Sequence, residues 1–168
     1  STSQERIPRS LVGGEVNTSL KGEGRAAVIL PHGVLFRGNA EADIRQSLLK
    51  HDVIEGVIGL PPNLFYGTGI PACILVIDKS RALPTNGQAQ NPLFENGEAH
   101  GPGVFMVDAS RGFRKDGNKN RLRDRDIHKI VDVFTERKEV DGYARFVPMP
   151  EIEANAFNLN IPRYIDAT

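Results

Sequence analysis

The chain has 168 residues, which is enough for one domain with a real hydrophobic core. Its 21 basic and 21 acidic residues balance, so no global field points to nucleic acid or a membrane surface. Cys73 is the only cysteine, which excludes a disulfide framework and a cysteine zinc site and suits a reducing cytoplasm. No apolar run approaches the length of a membrane span, and the polar first residues resemble no signal peptide.

Three strands and one helix are predicted in the first half of the chain. The apolar runs 25–30, 53–58 and 72–78 predict buried strands. Between the first two strands, Asn39 can cap a helix that ends near Lys50. The apolar face of that helix is predicted to consist of Ala40, Ile44 and Leu48. A strand–helix–strand unit normally makes parallel neighbours, whereas the loop before the third strand is too short for a crossover and predicts an antiparallel hairpin.

The second half alternates irregular segments with one strand and one helix. Residues 80–103 show no period and predict a long surface loop, and 104–107 predict a fourth strand. Residues 111–125 carry seven Lys or Arg against two Asp and are predicted to be a basic loop. A helix is predicted over 126–138, and the tail 143–168 is predicted to be irregular. The core face of this helix is predicted to be Ile127, Ile130, Val131 and Phe134.

Phe65 and Tyr66 are the candidate ligand-binding residues of the first half. They lie in a loop of prolines and glycines at a strand end, where α/β sheets bind ligands. The alternative is that Phe65 packs into the core and anchors the loop. The residue types alone leave both possibilities open.

The candidate phosphate-binding residues are Lys119, Arg121 and Arg123 of the basic segment, together with Arg37 after the first strand. The alternative is a solvated surface, which is what most charge runs form. No histidine has a partner at helical spacing, so no metal site is predicted. The glycines at 67 and 69 fit a dinucleotide pattern, but a strand follows them instead of a helix, so no cofactor site is predicted there.

Several segments together resemble the methylation (M) subunits of type I restriction–modification systems. The resemblance covers residues 20–165, and its motifs are jointly specific. They lie at 30–38, 42–45, 59–61, 64–71, 105–111, 120–122 and 158–164.

This resemblance implies adenine-N6 DNA methylation with S-adenosylmethionine as the methyl donor. It also implies DNA and the specificity and restriction subunits of the complex as partners, and no membrane. In this class of enzyme a loop aromatic stacks on the extruded adenine, and Phe65, with Tyr66 beside it, falls at the matching place. The implied fold is α/β: the carboxyl half of a Rossmann-like class I methyltransferase sheet, with an antiparallel hairpin at its edge.

The sequence departs from the family before its first strand. The glycine-rich cofactor loop and the catalytic Asn-Pro-Pro-Phe loop should precede that strand, and neither occurs in residues 1–24. We therefore expect no catalytic or cofactor-binding residue in this chain. We divide it into an irregular leader (1–24), the carboxyl half of a methyltransferase domain (25–110), and a basic loop, helix and tail (111–168). The alternatives are a fragment that only docks onto DNA or partner subunits, or an unrelated α/β domain.

Overall fold

The computed structural model describes residues 25–65, 69–78 and 102–166. Predictions for 1–24, for Tyr66 and for the loop 80–101 lie outside the described residues. In chain order the strands are β1 (Arg25–Pro31), β2 (Ile54–Gly59), β3 (Ala72–Asp78), β4 (Gly103–Asp108), β5 (Arg114–Asp116), β6 (Lys119–Arg121) and β7 (Ala144–Pro148). The helices are α1 (Ala40–Lys50), α2 (Asp124–Glu136) and α3 (Met149–Ala154), with 3-10 turns at His32–Leu35 and Ile161–Arg163.

The main sheet is mixed and has the strand order β1-β3-β2-β4-β7, which confirms the α/β class. β3 runs antiparallel to both β1 and β2, as predicted for the third strand. Two expectations are wrong. β1 and β2 are parallel but not neighbours, because β3 lies between them, and the β2–β3 hairpin lies inside the sheet because β2 also pairs with β4.

Each face of the sheet is covered by different elements. On one face, α1, α3 and the tail pack on side chains such as Leu75 and Met106. On the other face, Ile130, Val133 and Phe134 of α2 pack on the sheet. Gly56 of β2 leaves the space for the Phe134 ring, since a Cβ there would overlap that ring and lie 2.8 Å from a backbone oxygen of β4.

The predicted core faces of the two long helices are confirmed only in part: Leu48 of α1 packs against the core, and Ile130 and Phe134 of α2 are buried. In α1 the most buried residues are Arg45 and Leu49, whereas Ala40 is exposed. In α2 the side chains of Ile127 and Val131 are 43% and 52% exposed, so their assignment to the core was wrong. None of the helices in the described part of the chain is long and apolar enough to cross a bilayer.

Two segments predicted to be irregular contain regular structure. The basic segment forms the two-stranded β5–β6 hairpin, whose turn uses Gly117 at a positive φ of 65°. The tail contains β7, which pairs antiparallel with β4, and α3. Beyond α3 the tail packs on the β1–α1 connection, where the Leu159 N–H donates to the Leu35 carbonyl at 2.8 Å.

Candidate functional site

The carboxyl ends of β1, β2 and β4 lie at the same edge of the sheet, because these three strands are parallel to one another. Hydrogen bonds join the segments that follow them. The His32 N–H donates to the Pro71 carbonyl at 2.9 Å, and the Ala109 N–H donates to the Gly59 carbonyl at 2.8 Å. This edge, which we call the carboxyl edge, is where ligands bind in open α/β sheets.

The loop that leaves β2 carries Phe65. Its base is fixed, because Pro61 and Leu60 are buried and the Leu60 N–H donates to the Ala72 carbonyl at 3.0 Å. Leu64 is partly buried and packs against the cluster that contains α2. The Phe65 side chain is 42% exposed, so the loop is anchored by its leucines and Phe65 is turned outward.

Asn120 of β6 attaches the basic hairpin to this loop. Its side-chain Nδ2 donates to the Pro62 carbonyl at 2.7 Å, and its backbone N–H donates to the Asn63 carbonyl, also at 2.7 Å. Asn120 is only 6% exposed. Sequence reasoning gave this residue no role, although a Lys-Asn-Arg strand places the amide on the face opposite its two charged neighbours.

Two of the predicted phosphate-binding residues lie on the surface in weak ion pairs. The guanidinium of Arg37 is 3.4 Å from Glu41, and that of Arg121 is 3.2 Å from Asp116. All four side chains are more than a third exposed, and such pairs contribute at most about 1 kcal/mol. Both guanidinium groups can therefore exchange their partners for phosphates at little cost.

Arg123 is placed differently from the other basic candidates. Its guanidinium donates to both carboxylate oxygens of Asp126, at 2.8 and 3.1 Å, at the start of α2. Lys119, the fourth candidate, is half-buried in β6. Arg114 and Lys115 of β5, which belong to the same basic run of the sequence, are exposed on the same hairpin.

The tail reaches the carboxyl edge from the other side. The His32 Nε2 lies 3.0 Å from the Asn160 Oδ1, so the ring donates to the amide oxygen in the tautomer that protonates Nε2. Phe36 contacts the His32 ring with a centroid separation of 5.8 Å. Two segments that carry the sequence resemblance, 30–38 and 158–164, thus meet in space.

An apolar cavity lies beside the carboxyl end of β1, and no residue of the Phe65 loop lines it. Within residues 25–65, 69–78 and 102–166, no group of three or more His, Cys, Asp or Glu could hold a metal ion. The apolar cavity, of about 360 Å³, lies between α1 and the sheet and is lined mainly by apolar side chains. None of the candidate site residues lines this cavity.

The mixed sheet and its carboxyl-edge loops define an α/β domain of methyltransferase type. A family model for N-6 DNA methylases matches residues 15–168, and the chain belongs to this family. Membership implies a methyl donor.

Two of the similar proteins are methylase or methyltransferase subunits of type I systems. The MjaVII methylase subunit of a type I restriction enzyme from Methanocaldococcus jannaschii is 31% identical over 144 residues, covering 84% of this chain and 22% of the relative. The crystal structure of a type I methyltransferase subunit from Streptococcus thermophilus gives a TM-score of 0.76 at 39% identity, covering 90% of this chain and 29% of that one.

A third structure concerns complex assembly and conformational transition of the type I restriction–modification system. It shares the fold with a TM-score of 0.63 at 18% identity. The chain covers 93% of its own length and 33% of the length of that structure. This chain therefore spans between about a fifth and a third of the length of these three proteins.

Proposed function

We propose that the intact protein carrying this chain is the methylation subunit of a type I restriction–modification complex. It transfers a methyl group from S-adenosylmethionine to adenine N6 in DNA, together with specificity and restriction subunits. The support is the family membership, the names of the relatives and the 39% identity to the S. thermophilus subunit.

Within that protein, we propose that this chain binds the target adenine after it is extruded from the duplex. One observation carries the assignment: Phe65 is exposed on a loop whose base and flank are fixed, at the carboxyl edge of the sheet. Extruding an adenine from the duplex costs a few kcal/mol, and stacking on an aromatic face recovers about 1–3 kcal/mol of it. Tyr66, the next residue, is proposed to join Phe65 in this contact.

The donor site is assigned to a part of the protein outside the described residues. S-adenosylmethionine supplies the methyl group, and its binding in this fold needs a glycine-rich loop that opens a helix. In the described segments no glycine-rich loop opens α1, α2 or α3. We therefore derive no step through the donor from this chain.

The proposed DNA contacts are Arg37, Lys119, Arg121 and Arg123. What supports Arg37 and Arg121 is their exposure and their weak ion pairs. Arg123 has the weakest support of the four, because its guanidinium is held by Asp126. The exposed Arg114 and Lys115 extend the proposed contact along the hairpin.

Substitution of Phe65 tests the proposal in the intact protein assembled with its subunits. Phe65→Ala should lose about 1–3 kcal/mol of stacking, roughly a fivefold to 150-fold lower single-turnover rate of adenine methylation. Phe65→Trp should keep most of the activity because it keeps an aromatic face. Val131→Ala, which removes another exposed apolar side chain from α2, is the matched control and should leave the rate unchanged.

Donor affinity and melting temperature should stay at their wild-type values in Phe65→Ala. A wild-type methylation rate in this variant would show that the base is received elsewhere. A large drop in melting temperature, with a normal rate per folded molecule, would assign Phe65 to the core instead. A protein that binds DNA but methylates no adenine would favour the docking alternative.

A further inference from the structure

We propose that Asn120 is the positioning residue that holds the Phe65 loop in the orientation in which it receives the base. This inference deepens the proposed function and rests on it. In this role, one buried side-chain amide connects the basic hairpin, which contacts the phosphates, to the loop that contacts the base.

The first step of the argument is the geometry of the two hydrogen bonds. Asn120 binds the carbonyls of two consecutive residues, Pro62 and Asn63, each at 2.7 Å. Asn63 has a positive φ of 57°, so the chain reverses direction there, two residues before Phe65. Two bonds at the point of reversal fix the direction in which the chain leaves it.

The second step is the chemistry of the donor. A carbonyl accepts but cannot donate, so the bond to Pro62 requires an N–H or O–H on residue 120. Asn120 is 6% exposed, so water competes poorly for these carbonyls. An aspartate of the same shape would place a carboxylate oxygen against the Pro62 carbonyl and would break this bond.

The third step is the alternation of side chains along β6. Successive side chains of a strand point to opposite faces, so Lys119 and Arg121 point away from the face that carries the Asn120 amide. The hairpin is short, with three residue pairs between β5 and β6. A phosphate bound by the basic face is therefore bound by the same two-stranded hairpin that holds the Phe65 loop.

The test compares Asn120→Asp with Asn118→Asp in the intact protein assembled with its subunits. Both changes replace an amide by a carboxylate on one hairpin, but Asn118 is exposed in the turn. Asn120→Asp should lower kcat for adenine methylation about tenfold, within the range expected for lost base stacking. Asn118→Asp should change kcat less than about twofold. Affinity for DNA without the target site should be the same in both variants.

A double-variant cycle connects the effect to Phe65. In the Phe65→Ala background, Asn120→Asp should cause no further loss, because the positioned side chain is already gone. Two independent losses that multiply would overturn the positioning role while leaving the proposed function intact. If Phe65→Ala itself has a wild-type rate, the proposed role of Phe65 fails and the positioning role fails with it.

A second measurement reports the contact to the loop directly. Hydrogen exchange at the backbone amide of residue 120, which donates to the Asn63 carbonyl, should accelerate in Asn120→Asp and stay at the wild-type rate in Asn118→Asp. If Asn120→Asp does not fold, Asn120→Ala removes the same donor without adding a charge, and the same outcomes apply. Equal exchange in the two hairpin variants would overturn the inference.

Discussion

The Asp126 carboxylate accepts three hydrogen bonds from Arg123, two from its guanidinium and one from its backbone N–H. These bonds, the guanidinium first among them, hold the pKa of Asp126 below its ordinary value. The residue lies in the first turn of α2, where a negative charge also meets the positive end of the helix. Arg123, which the sequence suggests as a phosphate contact, therefore takes part in capping the amino end of α2.

The depressed pKa predicts how the stability of the chain depends on pH. A carboxylate with a lowered folded pKa stabilises the fold above about pH 4 and loses that contribution as the pH falls through the folded value. Asp126→Asn should therefore be less stable at pH 7, by about 0.3–1 kcal/mol, and its stability should fall less between pH 4 and pH 2. Urea unfolding across this range measures both effects.

Asp132→Asn is the control for that experiment. Asp132 is exposed on the same helix, so its replacement removes a charge from α2 without removing the contact to Arg123. An Asp126→Asn curve that overlays the Asp132→Asn curve would show that the contact adds nothing to stability.

Sequence reasoning could place the Phe65 loop but could not decide which of its side chains is buried. Leu64 and Phe65 are adjacent large apolar residues, and either could anchor a short loop. The choice depends on α2, because Leu64 packs on the cluster that α2 completes about 60 residues later. Asn120 was missed for the same reason, since its partners are carbonyls at 62 and 63 whose direction no pattern encodes.

At the level of secondary structure, the basic hairpin β5–β6 is the element whose charge matters most for the proposed DNA contact. Arg114 and Lys115 are exposed on β5 opposite Arg121 and Asn120, and the two hydrogen bonds from Asn120 to the loop use neither of their side chains. Replacing both by Gln should therefore reduce the counterion release on DNA binding by up to about two ions. The slope of log affinity against log salt should become shallower, with unchanged sequence preference.

Lys50 and Lys138 provide the matched control for this charge change. Both are exposed: Lys50 is the last residue of α1 and Lys138 follows the end of α2, so neither belongs to the hairpin or to the Phe65 loop. Their double Gln variant removes the same charge and should leave the salt slope unchanged. Equal slopes for the two double variants would identify the hairpin as a solvated surface.

The sequence predicts the positions of most elements but not which faces they bury or which strands are neighbours. α2 has apolar residues at 127, 130, 131, 133 and 134, which is more than one face can hold. Packing of Phe134 over Gly56 selects the face with Ile130 and Val133 and leaves Ile127 and Val131 in solvent. β7 was missed because a five-residue run that ends in proline gives a weak strand signal, and its partner β4 is about 40 residues away.

In the molecule as a whole, the main sheet joins segments that the division of the sequence assigns to different parts of the chain. The division into 1–24, 25–110 and 111–168 is a proposal about roles. β4 ends at Asp108, yet it pairs with β2 on one side and with β7, from the last segment, on the other. The Phe105 ring of β4 meets the Phe134 ring of α2 at a centroid distance of 5.9 Å. Residues on both sides of position 110 therefore share one core.

This shared core predicts that residues 25–168 unfold as one cooperative unit. A chain that ends at residue 110 lacks α2, β7 and α3, and uncovers β4 side chains such as Phe105 and Met106, which are now fully buried. Each large apolar side chain exposed in this way costs about 1.5–3 kcal/mol, so a few of them exceed the stability of a typical domain. Circular dichroism in urea should show one transition for the 168-residue chain and no cooperative transition for residues 1–110. A chain that ends at residue 166, and so keeps every described element, should unfold like the 168-residue chain. Two separate transitions in the 168-residue chain, or a cooperative one in residues 1–110, would instead mean that position 110 is a true folding boundary.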